Sequence, residues 1–242
     1  MDRLIYTAMT GAKHLMGRQA VVAQNLANAS TNGYRAAQGA YRAVPVVGEG
    51  LDTRTFVVDS TIGASFAPGA SQRTGRDLDV AVQGAGWIAV QTDQGEAYTR
   101  DGSLQVSANG VLQTRSGRNV LGEGGPISIP PDSTIAIAGD GTVSAMTPPK
   151  TVSAVGRIKL VNPDERQLVR GGDGLFRTPT GTAEADPAVR LASGTVEGSN
   201  VNVVEEMITM ISLARQFDLQ MQLLNNAEKN ASSASRILNI NG

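Results

Sequence analysis

The chain has 242 residues, 40% of them hydrophobic, with 21 basic against 22 acidic side chains, one histidine and no cysteine. That is enough apolar material for a core, while balanced charge without any basic cluster interleaved with aromatics excludes nucleic acid as a partner and offers an anionic membrane no purchase. The absent cysteines exclude disulfides, thiolate metal sites and cysteine nucleophiles, and no run approaches the ~18 apolar residues of a membrane span.

The first pattern is helical. Over residues 3–28, Leu4, Ala8, Gly11, Leu15, Val22 and Leu26 recur at three- and four-residue steps as one stripe. Ile5, Met9, Ala12, Met16, Ala20 and Ala23 lie beside it. This start makes a poor secretory signal, because Lys13, His14 and Arg18 follow on helical spacing without a clear cleavage site. The helix leaves through a polar bend, "NLANASTNGYRA" at residues 25–36, where Gly33 after Asn32 supplies the positive-φ chemistry of a turn.

Residues 36–75 contain Gly, Ala, Ser and Pro without a period and read as an extended connector. Then the grammar changes. "LDVAVQ" at residues 78–83 alternates strictly, and "WIAVQT" at residues 87–92 follows a Gly-Ala-Gly turn. Turn signals recur at Asp93-Gln94-Gly95, Asp101-Gly102, Asn109-Gly110, Ser116-Gly117 and Asp140-Gly141, separated by short runs such as "SLQV", "VLQT" and "TIAIA". That is a β-meander signature.

The last pattern is the strongest. Asn202 followed three residues on by Glu205 predicts a capped helix start. Met207, Met210, Ala214, Phe217, Met221 and Leu224 then keep heptad-like spacing, which Glu228 interrupts and Ala231 and Leu238 resume. A helix of about 38 residues would run about 57 Å at ~1.5 Å per residue, long for a globular protein.

The sequence therefore predicts an α+β protein in three parts. Residues 1–35 and 200–242 pair as an α-helical coiled coil, residues 36–75 connect, and residues 76–199 form a β-rich body inserted between the helices. An apolar helical stripe ordinarily faces its own domain core. Here both stripes lie at the extremes of the chain, and the second is too long to bury against the body, so the termini read as segments that order against neighbouring subunits. Leu4, Leu15, Val22 and Leu26 on the first helix, and Met207, Met210, Ala214, Phe217, Met221 and Leu224 on the second, are the expected assembly positions.

Nothing comparable marks chemistry. His14 sits on an amphipathic helix with no carboxylate or nucleophile signalled beside it, which fits a solvated or interfacial residue better than a base. Asp77 and Asp79 flank Leu78 without further ligands, too few for a metal. "GEGGP" and "GGDG" match no phosphate-cradling spacing, and the Asp-Gly steps lack the nine-residue period of calcium-binding repeats. No catalytic, cofactor or metal site is expected.

Three stretches carry a resemblance. "NLANASTNGYRA", with Asn25, Asn28, Thr31, Gly33 and Tyr34 at its key positions, resembles the N-terminal signature of the axial proteins of the bacterial flagellum, the rod, the hook and their relatives. "TGRDLDVAVQGAGWIAVQ" with "YTRDGSLQVSANGVLQT" resembles their shared β module, and "VEGSNVNVVEEMITMISLARQFDLQ" is similar to their C-terminal helix motif. Ser30, Asn32 and Tyr34 depart from the commoner Asn, Pro and Phe of the signature, but Asn-Gly turns as readily as Pro-Gly. The opening "MDRLIYTAMTGA" and the modest length fit the rod branch, proximal before distal, and not the larger hook protein. The resemblance implies a structural subunit without catalysis or cofactor. It implies export through the flagellum's own type III apparatus and helical stacking with copies of itself and other rod proteins. A β-rich enzyme would require a convergent polar cleft, and a secreted binding module would leave the two heptad ends unexplained.

Overall fold

The structure is a computed structural model and describes residues 2–45, 55–147 and 151–239. Its elements in chain order are α1 (Asp2–Ala27), β1 (Ala37–Pro45), β2 (Thr55–Ala64), β3 (Ser71–Arg73), β4 (Val80–Gln83), β5 (Trp87–Thr92) and β6 (Gly95–Thr99). There follow β7 (Leu104–Val106), β8 (Leu112–Thr114), β9 (Asn119–Gly122), β10 (Gly125–Pro126), β11 (Thr134–Ile137), β12 (Thr142–Thr147) and β13 (Thr151–Arg157). The chain ends with β14 (Leu160–Val161), β15 (Val169–Arg170), β16 (Phe176–Arg177), β17 (Arg190–Ser193), β18 (Thr195–Glu197) and α2 (Val203–Asn239). These elements divide into two compact units: residues 1–27, 37–64 and 202–242 in the first, residues 28–36 and 65–201 in the second.

The first unit holds both helices. α2 starts where its cap predicts: Asn202 Oδ1 accepts from the backbone N–H of Val204 and Glu205 at 3.2 and 3.3 Å. Glu205 and Glu206 in the first turn complement the helix dipole. The segment read as a connector contains an antiparallel ribbon, with β1 paired to β2 from Ala37–Ala64 to Pro45–Thr55 and a bulge at Ala40/Tyr41. The intervening residues 46–54 lie outside the described ones.

The second unit is the β-rich part. Its main sheet runs β15-β16-β6-β5-β9-β8-β7, with β14 added on β5 and β10 on β9, and β11-β12-β13 form a three-stranded sheet. β4 pairs with β17 and β3 with β18, so returning strands close the unit against its earliest ones. Val80, Val82, Ile88, Leu104, Leu112 and Val120 are core residues shared among these strands. "WIAV" of β5 is buried on both faces, and β6, β9 and β14 pair along its edges. The alternation of "LDVAVQ" proves incomplete. Asp79 and Ala81 are buried as well as Val80 and Val82; the Asp79 carboxylate lies 3.4 Å from the Arg76 guanidinium, and its backbone carbonyl accepts from Gly194 N–H at 2.7 Å.

The turn reading holds at Gly95, Gly110, Gly117 and Gly141, all at positive φ. Gly102 works differently. It needs no positive φ, but a Cβ there would lie 1.7 Å from the carbonyl oxygen of Val80, whose N–H donates to Gly102 O at 2.9 Å. The Asp101-Gly102 step is a close approach of two backbones.

Candidate assembly interface

Within the first unit, α1 and α2 pack together in antiparallel sense. Two contacts fix the register. Near the end of α1, Asn25 Nδ2 donates to Glu206 Oε1 at 2.7 Å, and midway along, Gly11 lies so close to Gln220 that only a glycine or a displaced glutamine fits. The same Asn25 holds Ala37 through both backbone groups, accepting its N–H at 2.7 Å and donating to its C=O at 3.0 Å. One buried amide therefore ties α1 to β1 and to the first turn of α2.

The seam on α2 consists of Glu206, Met210, Leu213, Phe217, Gln220, Leu224 and Ala227, each buried or half-buried and spaced alternately four and three, with the half-buried Thr209 beside it. Of the expected assembly residues, Met210, Phe217 and Leu224 lie in this seam, while Met207, Ala214 and Met221 are exposed, each one place further along the helix. The sequence pattern merged two faces, because apolar residues occupy both. Leu213, the most buried residue of α2, was missed for that reason. On α1, Val22 is buried and Leu15 and Leu26 half-buried. The side chain of Leu4 lies outside the described residues, as do those of Ala231 and Leu238.

Within the second unit, the motif turn is anchored by its own polar groups. Thr31 N–H donates to Asn28 O at 3.1 Å, its hydroxyl to Asn28 Oδ1 at 3.2 Å, and Tyr34 N–H to Thr31 O at 3.3 Å. Gly33 is required twice over. Its φ is +67°, and a Cβ would fall 2.2 Å from the backbone of Arg100 and Asp101. Its N–H donates to Glu197 O at 2.7 Å, and Asn32 Nδ2 donates to Ser103 Oγ at 2.6 Å.

Beside the turn lies a buried ion triad. Glu197 accepts from Arg35 Nη1 at 2.5 Å on one oxygen and from Arg100 Nη1 at 3.1 Å on the other, and Gly69 N–H adds a third bond at 2.9 Å. Arg100 also donates to the carbonyls of Val82 and Gly84. The Nε groups of Arg35 and Arg100 are buried without an acceptor, and both guanidinium groups lie over Trp87, 5.9 and 5.3 Å from its ring centroid. Burial pulls the Arg100 pKa down, and Glu197 opposes that shift. Arg170 completes the layer, donating to Arg35 O at 2.8 Å with its charge 4.5 Å over the Tyr34 ring. Asn200 accepts from Ala36 N–H at 2.7 Å and donates to the carbonyls of Ser65 and Ala67. The chain entering this unit and the chain leaving it are thus bound to each other.

Such an arrangement holds a backbone in place; its carboxylate and guanidinium groups are engaged with one another. Of the motif residues, Asn25, Gly33 and Tyr34 are buried, Asn28 is half-buried and Thr31 exposed. Arg35, Arg100, Glu197 and Asn200 went unmarked in the sequence. The available signal was a lone arginine directly after the Gly-aromatic turn and a Glu-Gly pair shortly before the second helix. Among the described residues there is no group of three or more His, Asp or Glu side chains able to hold a metal, and no helix long and apolar enough to cross a membrane.

Paired terminal helices, a seam of heptad spacing and a β unit closed on a polar clamp define a structural assembly protein. Three family models match in order along the chain: flagella basal body rod protein at residues 5–35, flagellar hook protein FlgE/F/G D1 domain at residues 81–145, and flagellar basal body rod FlgEFG protein C-terminal at residues 192–237. The flagellar basal-body rod protein FlgF of Escherichia coli (strain K12) is 49% identical over 251 residues, covering 99% of this chain and 100% of the relative. FlgF of Caulobacter vibrioides is 33% identical over 250 residues with complete coverage of both. The rod protein FlgG of Buchnera aphidicola subsp. Acyrthosiphon pisum is 29% identical over 259 residues, covering 96% of this chain and 98% of its own. The chain belongs to the flagellar basal-body rod protein family. It is a structural subunit and not an enzyme.

Proposed function

We propose that this chain is a subunit of the proximal rod of the bacterial flagellum, stacking helically with copies of itself and with other rod proteins into the drive shaft for motility. The observation that carries this reading is the α1–α2 seam, with its heptad spacing and one antiparallel register, in a chain similar over its whole length to rod proteins. The helix pair acts as a coiled coil in the assembly. The subunit reaches the periplasm through the flagellar type III export apparatus. A distal position is the second reading. The 49% identity to FlgF against 29% to a FlgG favours the proximal one.

The test is Phe217→Asp in the cell. Phe217 is the aromatic member of the α2 seam, and a carboxylate in a dry seam costs several kcal/mol. The expected product is made, keeps the unfolding transition of the β unit, and neither enters the rod nor supports motility. Asn109→Asp, in an exposed turn of the β unit, should swim normally. Normal motility of Phe217→Asp would remove the helix pair from the mechanism.

A further inference from the structure

Asn-Gly steps occur at Asn32–Gly33, Asn109–Gly110 and Asn241–Gly242, the last outside the described residues. Such a step is chemically labile, because glycine has no Cβ to keep its nitrogen away from the asparagine side-chain carbonyl. The two described steps share a sequence but not an environment. At the first, every participant is held. Gly33 N–H donates to Glu197 O at 2.7 Å, and Asn32 Nδ2 donates to Ser103 Oγ at 2.6 Å. The backbone of Arg100 and Asp101 stands 2.2 Å from where a Gly33 Cβ would be, so this buried peptide has no room to swing toward the side chain. Those partners are remote in sequence, and releasing them means opening the second unit. Asn109 is the opposite case. Its side chain is exposed and makes no hydrogen bond among the described residues. Gly110 N–H donates to Ser107 O at 2.9 Å, a bond inside the same turn. Gly110 O accepts from Ile129 N–H at 2.6 Å, which anchors the far side of Gly110 and leaves its nitrogen to move with the tip. A turn tip between two short strands, β7 and β8, opens far more often than the unit as a whole.

We propose that Asn109 is a self-modification site, deamidating in the folded protein while Asn32 does not. The Gly110 nitrogen bonds to Asn109 Cγ and gives up its proton, the bond from Cγ to Nδ2 breaks, and ammonia leaves. Water then adds to either carbonyl of the resulting cyclic imide and opens it. The products are aspartate and isoaspartate, whose main chain runs through Cγ. Water is the only co-reactant, and nothing is oxidised or reduced. Either product adds a negative charge to a chain whose formal net charge is -1. Isoaspartate also inserts a methylene into the backbone of a tight turn, where Ser107 N–H donates to Val111 O at 2.9 Å and Val111 N–H to Ser107 Oγ at 3.0 Å. The β7–β8 turn thereby records the age of the folded chain, and the clamp at Gly33 keeps the same chemistry out of the motif turn.

Full-length protein aged in warm, mildly alkaline buffer over a range of urea concentrations decides it. Peptide mapping by mass spectrometry follows each Asn-Gly step separately. A protein isoaspartate methyltransferase with labelled S-adenosylmethionine marks the isoaspartate product in the same peptides. Without urea, Asn109 should convert within about tenfold of its rate in the unfolded chain. Asn32 should show no measurable conversion, its rate being cut by at least about 1,000-fold. As urea rises, conversion at Asn32 should climb in step with the Trp87 unfolding transition, while Asn109 crosses that transition with no more than its tenfold change. Asn109 surviving in the folded chain as long as Asn32 does would overturn the proposal. So would an Asn32 that converts in the folded chain at the pace of Asn109, since the clamp would then protect nothing.

Discussion

Glu197→Gln is the sharpest perturbation the second unit allows. The carboxylate, 6% exposed, holds two guanidinium groups that are 1% and 5% exposed. Glutamine preserves volume and one acceptor, which can stay with Arg35 Nη1 and Gly69 N–H. Its NH₂ is then aimed at Arg100 Nη1, donor against donor, and the pocket keeps two positive charges with no negative one. Arginine cannot escape by losing its proton. Breaking a buried pair from one side costs about 3–5 kcal/mol. At an m-value of about 2 kcal/mol per M, that lowers the urea midpoint by about 1.5–2.5 M. Trp87, the single tryptophan, lies under both guanidinium groups and reports the transition by fluorescence without any added label. Removing one positive charge with Arg100→Met in the Glu197→Gln background returns the pocket to the net charge of the original triad and should recover part of the loss. A midpoint shift below about 0.3 M, near the error of the method, would refute the view that this triad is a tightly compensated charge cluster.

Other outcomes follow from single contacts. Gly33→Ala should prevent stable folding of the second unit, because backbone and not a flexible side chain occupies the space a Cβ needs, on top of about 1–2 kcal/mol for the positive φ; a urea transition like wild type would contradict this. Asn25→Leu should cost about 2–3 kcal/mol, measured as a loss of helix-pair stability by circular dichroism with the Trp87 transition retained. Burial raises the Asp101 carboxyl above its ordinary value of 3.8, so the folded state prefers it protonated. Its favourable contribution is complete below 3.8 and is lost as pH rises through the folded value, so Asp101→Asn should flatten that part of the stability–pH curve without destabilising at neutral pH. Asp173 is the opposite case. The hydrogen bond from Arg177 lowers its pKa, giving stability above the ordinary carboxylate value that disappears as pH falls through the lower one. The pair is partly exposed, so Asp173→Asn should cost under about 1 kcal/mol.

Local rules made much of this fold legible. A capping asparagine, glycine turns and a change from helical to two-residue period located both helices and most strands of the β-rich part. The ribbon at residues 37–64 escaped because its stretch lacks any alternation, so pairing with a partner strand, and not its own pattern, makes it β. A heptad count cannot tell which of two apolar faces a helix turns inward; on α2 that face is the one opposite Asn25 and Gly11 of α1. The triad was out of reach for a different reason. Arg35, Arg100 and Glu197 are far apart in the chain, and a charged residue in a sequence looks the same whether it meets water or another charge.

The clamp that joins Gly33 and Arg35 to Glu197 has a consequence for variation. Apart from the ribbon of residues 37–64, which belongs with the helices, the chain from Ser65 to Glu197 begins and ends at one fixed doorway. A surface loop such as residues 178–187 could lengthen, shrink or acquire a new surface, and the same two passages would still enter and leave. Length and surface can therefore vary within this unit while the clamp keeps its geometry.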